Sequence, residues 1–225
     1  MNLRALGKIA SALYPNLPAK LHAHSMNQLC NTNTFKANEE ALERSLDAFP
    51  DGVALHMVSG SAFYCITAMG NGTLKRHNIK TVCLDSIPFA RSEARLMRTA
   101  GVPKLLCAPL AIIARSILHL DMFGATDAYT DHYFGLLDDF RTFGTASRVL
   151  VACSTDDFIT PIDDATQYAA RVGGKWAETN AAAAATKTPT MTMYEGKGPH
   201  ACMTKDDPIN FVPFVHSWMK GSGLE

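Results

Sequence analysis

Val53-Ala54-Leu55-His56-Met57-Val58-Ser59-Gly60-Ser61 runs directly into Ala62-Phe63-Tyr64-Cys65-Ile66-Thr67-Ala68-Met69. The first part is a short, mostly apolar run, which suits a buried strand. Ser59-Gly60-Ser61 is a small polar turn. The apolar segment after it has the length of a buried helix, and Gly70-Asn71-Gly72 breaks it. Strand, sharp turn and helix in that order would lift Ser59 on a strained elbow at the carboxyl end of a strand. The usual elbow is Gly-x-Ser-x-Gly. Here it reads Met57-Val58-Ser59-Gly60-Ser61, with both outer glycines replaced.

Working outward, the same alternation recurs. Upstream, Leu3, Leu6, Ile9, Ala10 and Leu13 have helical spacing, and Pro15-Asn16-Leu17-Pro18 ends that helix. Lys20 to Ser25 reads as a short strand, with His22 and His24 on one face at a spacing that could hold a metal ion. Asn38 to Phe49 is amphipathic. Downstream, Ile79–Leu84 is a strand closing in Asp85-Ser86-Ile87-Pro88. Residues 90–145 read as a helical insertion with a basic helix around Arg91–Arg98, an apolar stretch Leu105–Leu120 and an aromatic segment. Arg148–Cys153 is a further strand. Thr160 can cap the helix that follows, with Pro161 at its first position, and Gly173-Gly174 would stop it. Residues 177–188, with five consecutive alanines, read as a loop or a short helical extension. Thr190–Tyr194 is the last strand, and Pro208–Lys220 closes the chain as a helix. Repeated strand-then-helix order implies one α/β domain over residues 1–225, a mostly parallel sheet flanked by helices, with 90–145 as a cap.

Composition narrows the function classes. The chain of 225 residues is 47% hydrophobic and 19% charged, enough for a sizeable core. Basic and acidic residues balance at 21 each, so no overall field favours nucleic acid. Cys30, Cys65, Cys83, Cys107, Cys153 and Cys202 form no C-x-x-C pair, and four of them sit in apolar runs. That usage suits a reducing, intracellular and cytoplasmic setting, and no secretory signal is visible. Leu105–Leu120 is too short and too interrupted for a membrane span and reads as a lid or core helix, or as an interfacial one.

Ligands of such sheets gather at the carboxyl ends of the strands. Three chemically apt residues fall there, in the order Ser59, Asp157, His200. A serine hydroxyl needs a base to become a nucleophile. An imidazole, titrating near about 6.5, can take that proton and return it to a leaving group. A carboxylate holds the imidazole in the useful tautomer. Asp157 stands four residues before Pro161, and Asp156 is its competitor for the role. His56, inside a strand, and His216, inside the last helix, read as structural.

The chain resembles a eukaryotic domain-of-unknown-function family that includes transmembrane protein 53 and the PaxU-like proteins, within the α/β-hydrolase superfamily. The residues that carry the resemblance are His56-Met57-Val58-Ser59, Asp85-Ser86-Ile87-Pro88, Ser154-Thr155-Asp156-Asp157 and Gly198-Pro199-His200. It implies an α/β-hydrolase fold, with some relatives at the nuclear envelope or other membranes. Two departures stand out. The second elbow glycine is Ser61, whose Cβ is expected to add about 1–3 kcal/mol of strain. The chain also begins at the family's first helix, without the strand and glycine-rich loop that supply one oxyanion donor. The other donor would be the Gly60 amide. The resulting expectation is a serine hydrolase acting on an ester-like small molecule through Ser59, His200 and Asp157, without cofactor or metal. The alternative is an inactive protein of this fold that binds a protein partner or membrane surface through residues 90–145.

Overall fold

The structure is a computed structural model that describes residues 3–21, 35–91, 102–118, 127–143, 146–182, 189–201 and 203–224. Its centre is a four-stranded parallel sheet: β1 (Val53–Val58), β2 (Ile79–Asp85), β3 (Arg148–Ser154) and β4 (Thr190–Gly196). The spatial order follows the chain order. Each crossover therefore steps the same way, and crossovers of one hand lay their helices on one face.

That face carries α2 (Phe35–Leu46), α3 (Ala62–Gly70), α5 (Asp127–Asp138) and α6 (Ile162–Ala182). They meet Leu55, Met57, Val82, Leu84, Val149 and Val151 from the strands. α3 has no polar side because it is covered all round: every residue from Ala62 to Met69 is buried. α1 (Leu3–Leu13), the single-turn α7 (Met203–Asp206) and α8 (Pro208–Met219) serve the opposite face. There Leu13, Phe211, Val215 and Trp218 cover Cys83, Leu150 and Ala152. Alternation of side chains along each strand divides the two cores. Cys65, Cys83, Cys107 and Cys153 are free, buried thiols.

Several local expectations change. α6 does not stop at Gly173-Gly174 but continues to Ala182. The reason is packing: Val172 and Trp176, one turn apart, are both buried, and the helix must run through the glycines to place the indole against Phe143. α6 begins at Ile162, so Thr160 is not its cap; its hydroxyl goes elsewhere. Within Leu105–Leu120, α4 (Lys104–Leu118) is a helix, but not one sunk in a core. Leu105 is 89% and Ile112 65% exposed. Among the described residues no helix is long and apolar enough to cross a membrane. The strand expected over Lys20–Ser25 is coil at residues 20 and 21. The remainder, with the His22/His24 pair, lies outside the described residues, as does the basic segment after Arg91.

Candidate active site

The parallel register puts the strand ends on one rim. Val58 pairs with Asp85, Asp85 with Ala152, and Ser154 with Gly196. Every loop leaving that rim starts close to the others, however far apart the residues are in sequence.

β1 ends in a 3-10 turn, Ser59–Ser61, that passes straight into α3. Ser59 takes a left-handed backbone, φ 56°. A residue with a Cβ adopts that conformation at a cost of roughly 1–2 kcal/mol, and the turn is held by Ser61. The Ser61 hydroxyl donates to the Val58 carbonyl at 2.8 Å and accepts the Val58 N–H at 3.0 Å. Ser61 itself is ordinary right-handed helix, φ −63° and ψ −19°. The strain expected from a Cβ at that position is absent. The one non-glycine residue of the turn in the left-handed region is Ser59, and the side chain at 61 ties the elbow together.

After β3, Asp157 sits in a turn that buries its carboxylate; the residue is 3% exposed. Oδ1 accepts the backbone N–H of Ile159 at 2.8 Å and of Thr160 at 3.0 Å. Oδ2 accepts the Thr160 hydroxyl at 2.6 Å and the His200 Nδ1 at 2.8 Å. Burial pushes this carboxyl upward, but the hydrogen bond and charge of His200 and the donors of Thr160 outweigh it. Asp157 therefore titrates below its ordinary range.

After β4, the loop carrying His200 is gripped on its upstream side. Asp156 Oδ2 accepts the Gly198 N–H at 3.1 Å, and the Ser154 hydroxyl donates to the Gly198 carbonyl. Gly198 has φ 108°, and a Cβ there would meet Asp206 at 2.7 Å, so glycine is required. The ring of His200 then spans two partners. Nδ1 faces Asp157, and Nε2 lies 2.6 Å from Ser59 Oγ. A carboxylate can only accept, so Nδ1 carries the proton. That leaves the Nε2 lone pair for the serine hydroxyl. The two aspartates are now distinguished: Asp157 reaches the imidazole, and Asp156 reaches the backbone of the loop.

Sequence reasoning missed Thr160, which it assigned to a helix cap. It also missed Ser61 as a clip and Ser86, which hydrogen-bonds the loop beyond His200. His56, read from the sequence as structural, is held between Tyr14 at 2.9 Å and Asp85 at 3.2 Å. His216 bonds the Ala12 carbonyl. Among the described residues no cluster of metal-ligating side chains occurs.

No family model matches the chain. No curated protein matches it in sequence. Solved structures do. It is similar to a monoacylglycerol lipase from Paleococcus ferrophilus, with a TM-score of 0.55 and 14% identity over 98% of this chain and 90% of that one. It is also similar to an esterase from Pyrococcus furiosus, with a TM-score of 0.51 and 11% identity over 84% of this chain and 61% of that one. The chain thus spans about three fifths of the esterase's length. Likeness at these identities is a likeness of fold. The chain has an α/β-hydrolase fold.

Proposed function

We propose that the chain is a serine hydrolase that transfers the acyl group of an ester-like small molecule to water. The observation that carries this reading is the paired contact of one imidazole, 2.6 Å to Ser59 Oγ and 2.8 Å to Asp157 Oδ2. Both distances fall within general-base reach.

In this reading Ser59 Oγ attacks the ester carbonyl while His200 Nε2 takes its proton. The carbonyl π electrons move to oxygen, and the Gly60 N–H donates to the oxyanion. Collapse of the tetrahedral species breaks the bond to the alcohol, which leaves with the proton from Nε2. Water then repeats the sequence on the acyl-serine, giving up its proton to His200, and Ser59 is regenerated with release of the carboxylic acid. Asp157 keeps its charge throughout, holding the Nδ1 tautomer. Residues 1–225 act as one domain, with 90–145 as an insertion between β2 and β3, and the sequence motifs relate it to the transmembrane protein 53-like and PaxU-like proteins.

A fluorophosphonate probe tests the reading. Wild type is expected to be labelled and to hydrolyse a short p-nitrophenyl ester; Ser59→Ala is expected to do neither. Equal labelling of the two proteins overturns it.

One observation favours a second reading, in which the fold serves as a binding protein. α4 exposes Leu105, Leu106, Leu110, Ile112 and Ile113, an apolar surface that would suit a membrane such as the nuclear envelope, or a protein partner. Flotation with liposomes that is lost in Leu105→Glu/Ile112→Glu supports that reading. Absence of flotation by wild type counts against its membrane form.

A further inference from the structure

A second chain of hydrogen bonds reaches the His200 loop from the sheet face that α1 and α8 cover. It starts at Tyr14, just past α1, whose hydroxyl lies 2.9 Å from His56 Nδ1. His56 Nε2 lies 3.2 Å from Asp85 Oδ2. The Ser86 hydroxyl donates to Asp85 Oδ1 at 3.0 Å and accepts the Ala201 N–H at 3.3 Å. The members lie deep: Ser86 is 0% and Asp85 4% exposed, and the His56 side chain 12%.

Two of these residues are in an uncommon conformation. Ser86 has φ 52° and Ala201 φ 55°. Neither is glycine, asparagine or aspartate, the residues that enter the left-handed region readily. Such conformations persist only where the surroundings impose them. For Ser86 the surroundings are the Ala152 carbonyl, which accepts its N–H at 2.9 Å, and the Asp85 carboxylate. For Ala201 they include Ser86 Oγ. Ala201 immediately follows His200, so its φ and ψ help set where the imidazole points. The grip on Gly198 described above holds the loop upstream of the histidine. Ser86 holds it downstream.

We infer that Ser86, anchored by Asp85, His56 and Tyr14, is a positioning residue that locks Ala201 in its left-handed conformation and so fixes the His200 imidazole between Asp157 and Ser59. Its catalytic consequence rests on the hydrolase reading; its geometric content does not. The order of donors is self-consistent. Asp85 accepts from both Ser86 and His56, which leaves the Ser86 oxygen lone pairs for the Ala201 amide. Burial opposes charge on His56, yet Cys83, Tyr14 and the Asp85 carboxylate outweigh it, and the imidazole titrates well above its ordinary range. Burial pushes the Tyr14 phenol up to about 12.

The test uses the full chain and reads His200 directly. In wild type, the Nδ1 proton of His200 is expected as a downfield NMR resonance, assigned by its loss in His200→Gln. Ser86→Ala is expected to broaden or shift that resonance upfield. It should also slow fluorophosphonate labelling of Ser59 about 10- to 100-fold, the scale of a misplacement near 1 Å. Ser86→Cys keeps the Cβ and fills the space but accepts weakly; it is expected to move both readouts the same way and serves if the alanine variant does not fold. Placing Ser86→Ala in an Ala201→Gly background should reduce the loss, because glycine enters the left-handed region unaided. An unchanged resonance in both Ser86 variants overturns the inference, as does a loss of equal size with and without Ala201→Gly. Absence of labelling in wild type with the resonance still dependent on Ser86 counts instead against the hydrolase reading and leaves the positioning role standing.

Discussion

The Thr160 hydroxyl and the His200 imidazole converge on the same carboxylate oxygen, Asp157 Oδ2, at 2.6 and 2.8 Å. A hydroxyl three residues away thus shares with the histidine the charge of one buried aspartate. The histidine aligns because the aspartate cannot rotate: its other oxygen is taken by two backbone amides.

Thr160→Val removes that hydroxyl with little change in volume. Unfolding in urea at neutral pH is expected to show a loss of about 1.5–3 kcal/mol, the range for a hydrogen bond to a charged group. The Asp157 carboxyl is lowered in the folded state from 3.8. Its contribution is therefore complete above that value and disappears as pH falls through the folded one. The gap between wild type and Thr160→Val should close in acid. A gap independent of pH would remove Asp157 as the group through which Thr160 acts.

His56 has the opposite sign. Its folded value is raised from 6.5, so its contribution is complete below 6.5 and is lost as pH rises through the folded value. The groups that face it are Tyr14, Cys83 and Asp85. Wild type should lose stability relative to His56→Gln as pH is raised from 6 into the alkaline range. Parallel stability curves for the two proteins would contradict the shift.

Position 59 separates conformational strain from chemistry. Ser59→Gly and Ser59→Ala both remove the hydroxyl, and neither should be labelled by a fluorophosphonate. Only glycine relieves the left-handed φ, so it should be the more stable of the two by about 1–2 kcal/mol. Equal denaturation midpoints would mean that the elbow is not strained.

At position 61 the direction reverses. Ser61→Gly restores the usual elbow pattern but removes both bonds to Val58. We expect a loss of about 1–2 kcal/mol, from those bonds and from a glycine in helical backbone. A gain in stability would show that the clip contributes nothing.

The two glycines inside α6 should be improvable. A Cβ at Gly173 or Gly174 meets nothing within 4 Å. Each change to alanine is expected to stabilise by about 0.5–1 kcal/mol, read as a rise in thermal midpoint. A fall at either position would point to a contact that an added methyl disturbs.

The sequence by itself determined the layered architecture. Apolar runs of strand length alternate with helical spacing, and that local pattern dictates which segments can be buried as strands and which as helices. It also brought Ser59, Asp157 and His200 into view, since each closes or follows a strand. Contacts that depend on distant segments left no local mark. Asp156 and Asp157 are adjacent and chemically equal; only the approach of the β4 loop distinguishes the one that meets an imidazole from the one that meets an amide. The left-handed backbones of Ser86 and Ala201 have no signature in residue type, because serine and alanine rarely adopt them. Gly173-Gly174 reads as a stop, and the burial of Trp176 overrides it. Tertiary structure decided these points for one reason. Propensity is worth about a kcal/mol or less per residue, whereas satisfying a buried polar group or burying an aromatic ring is worth more.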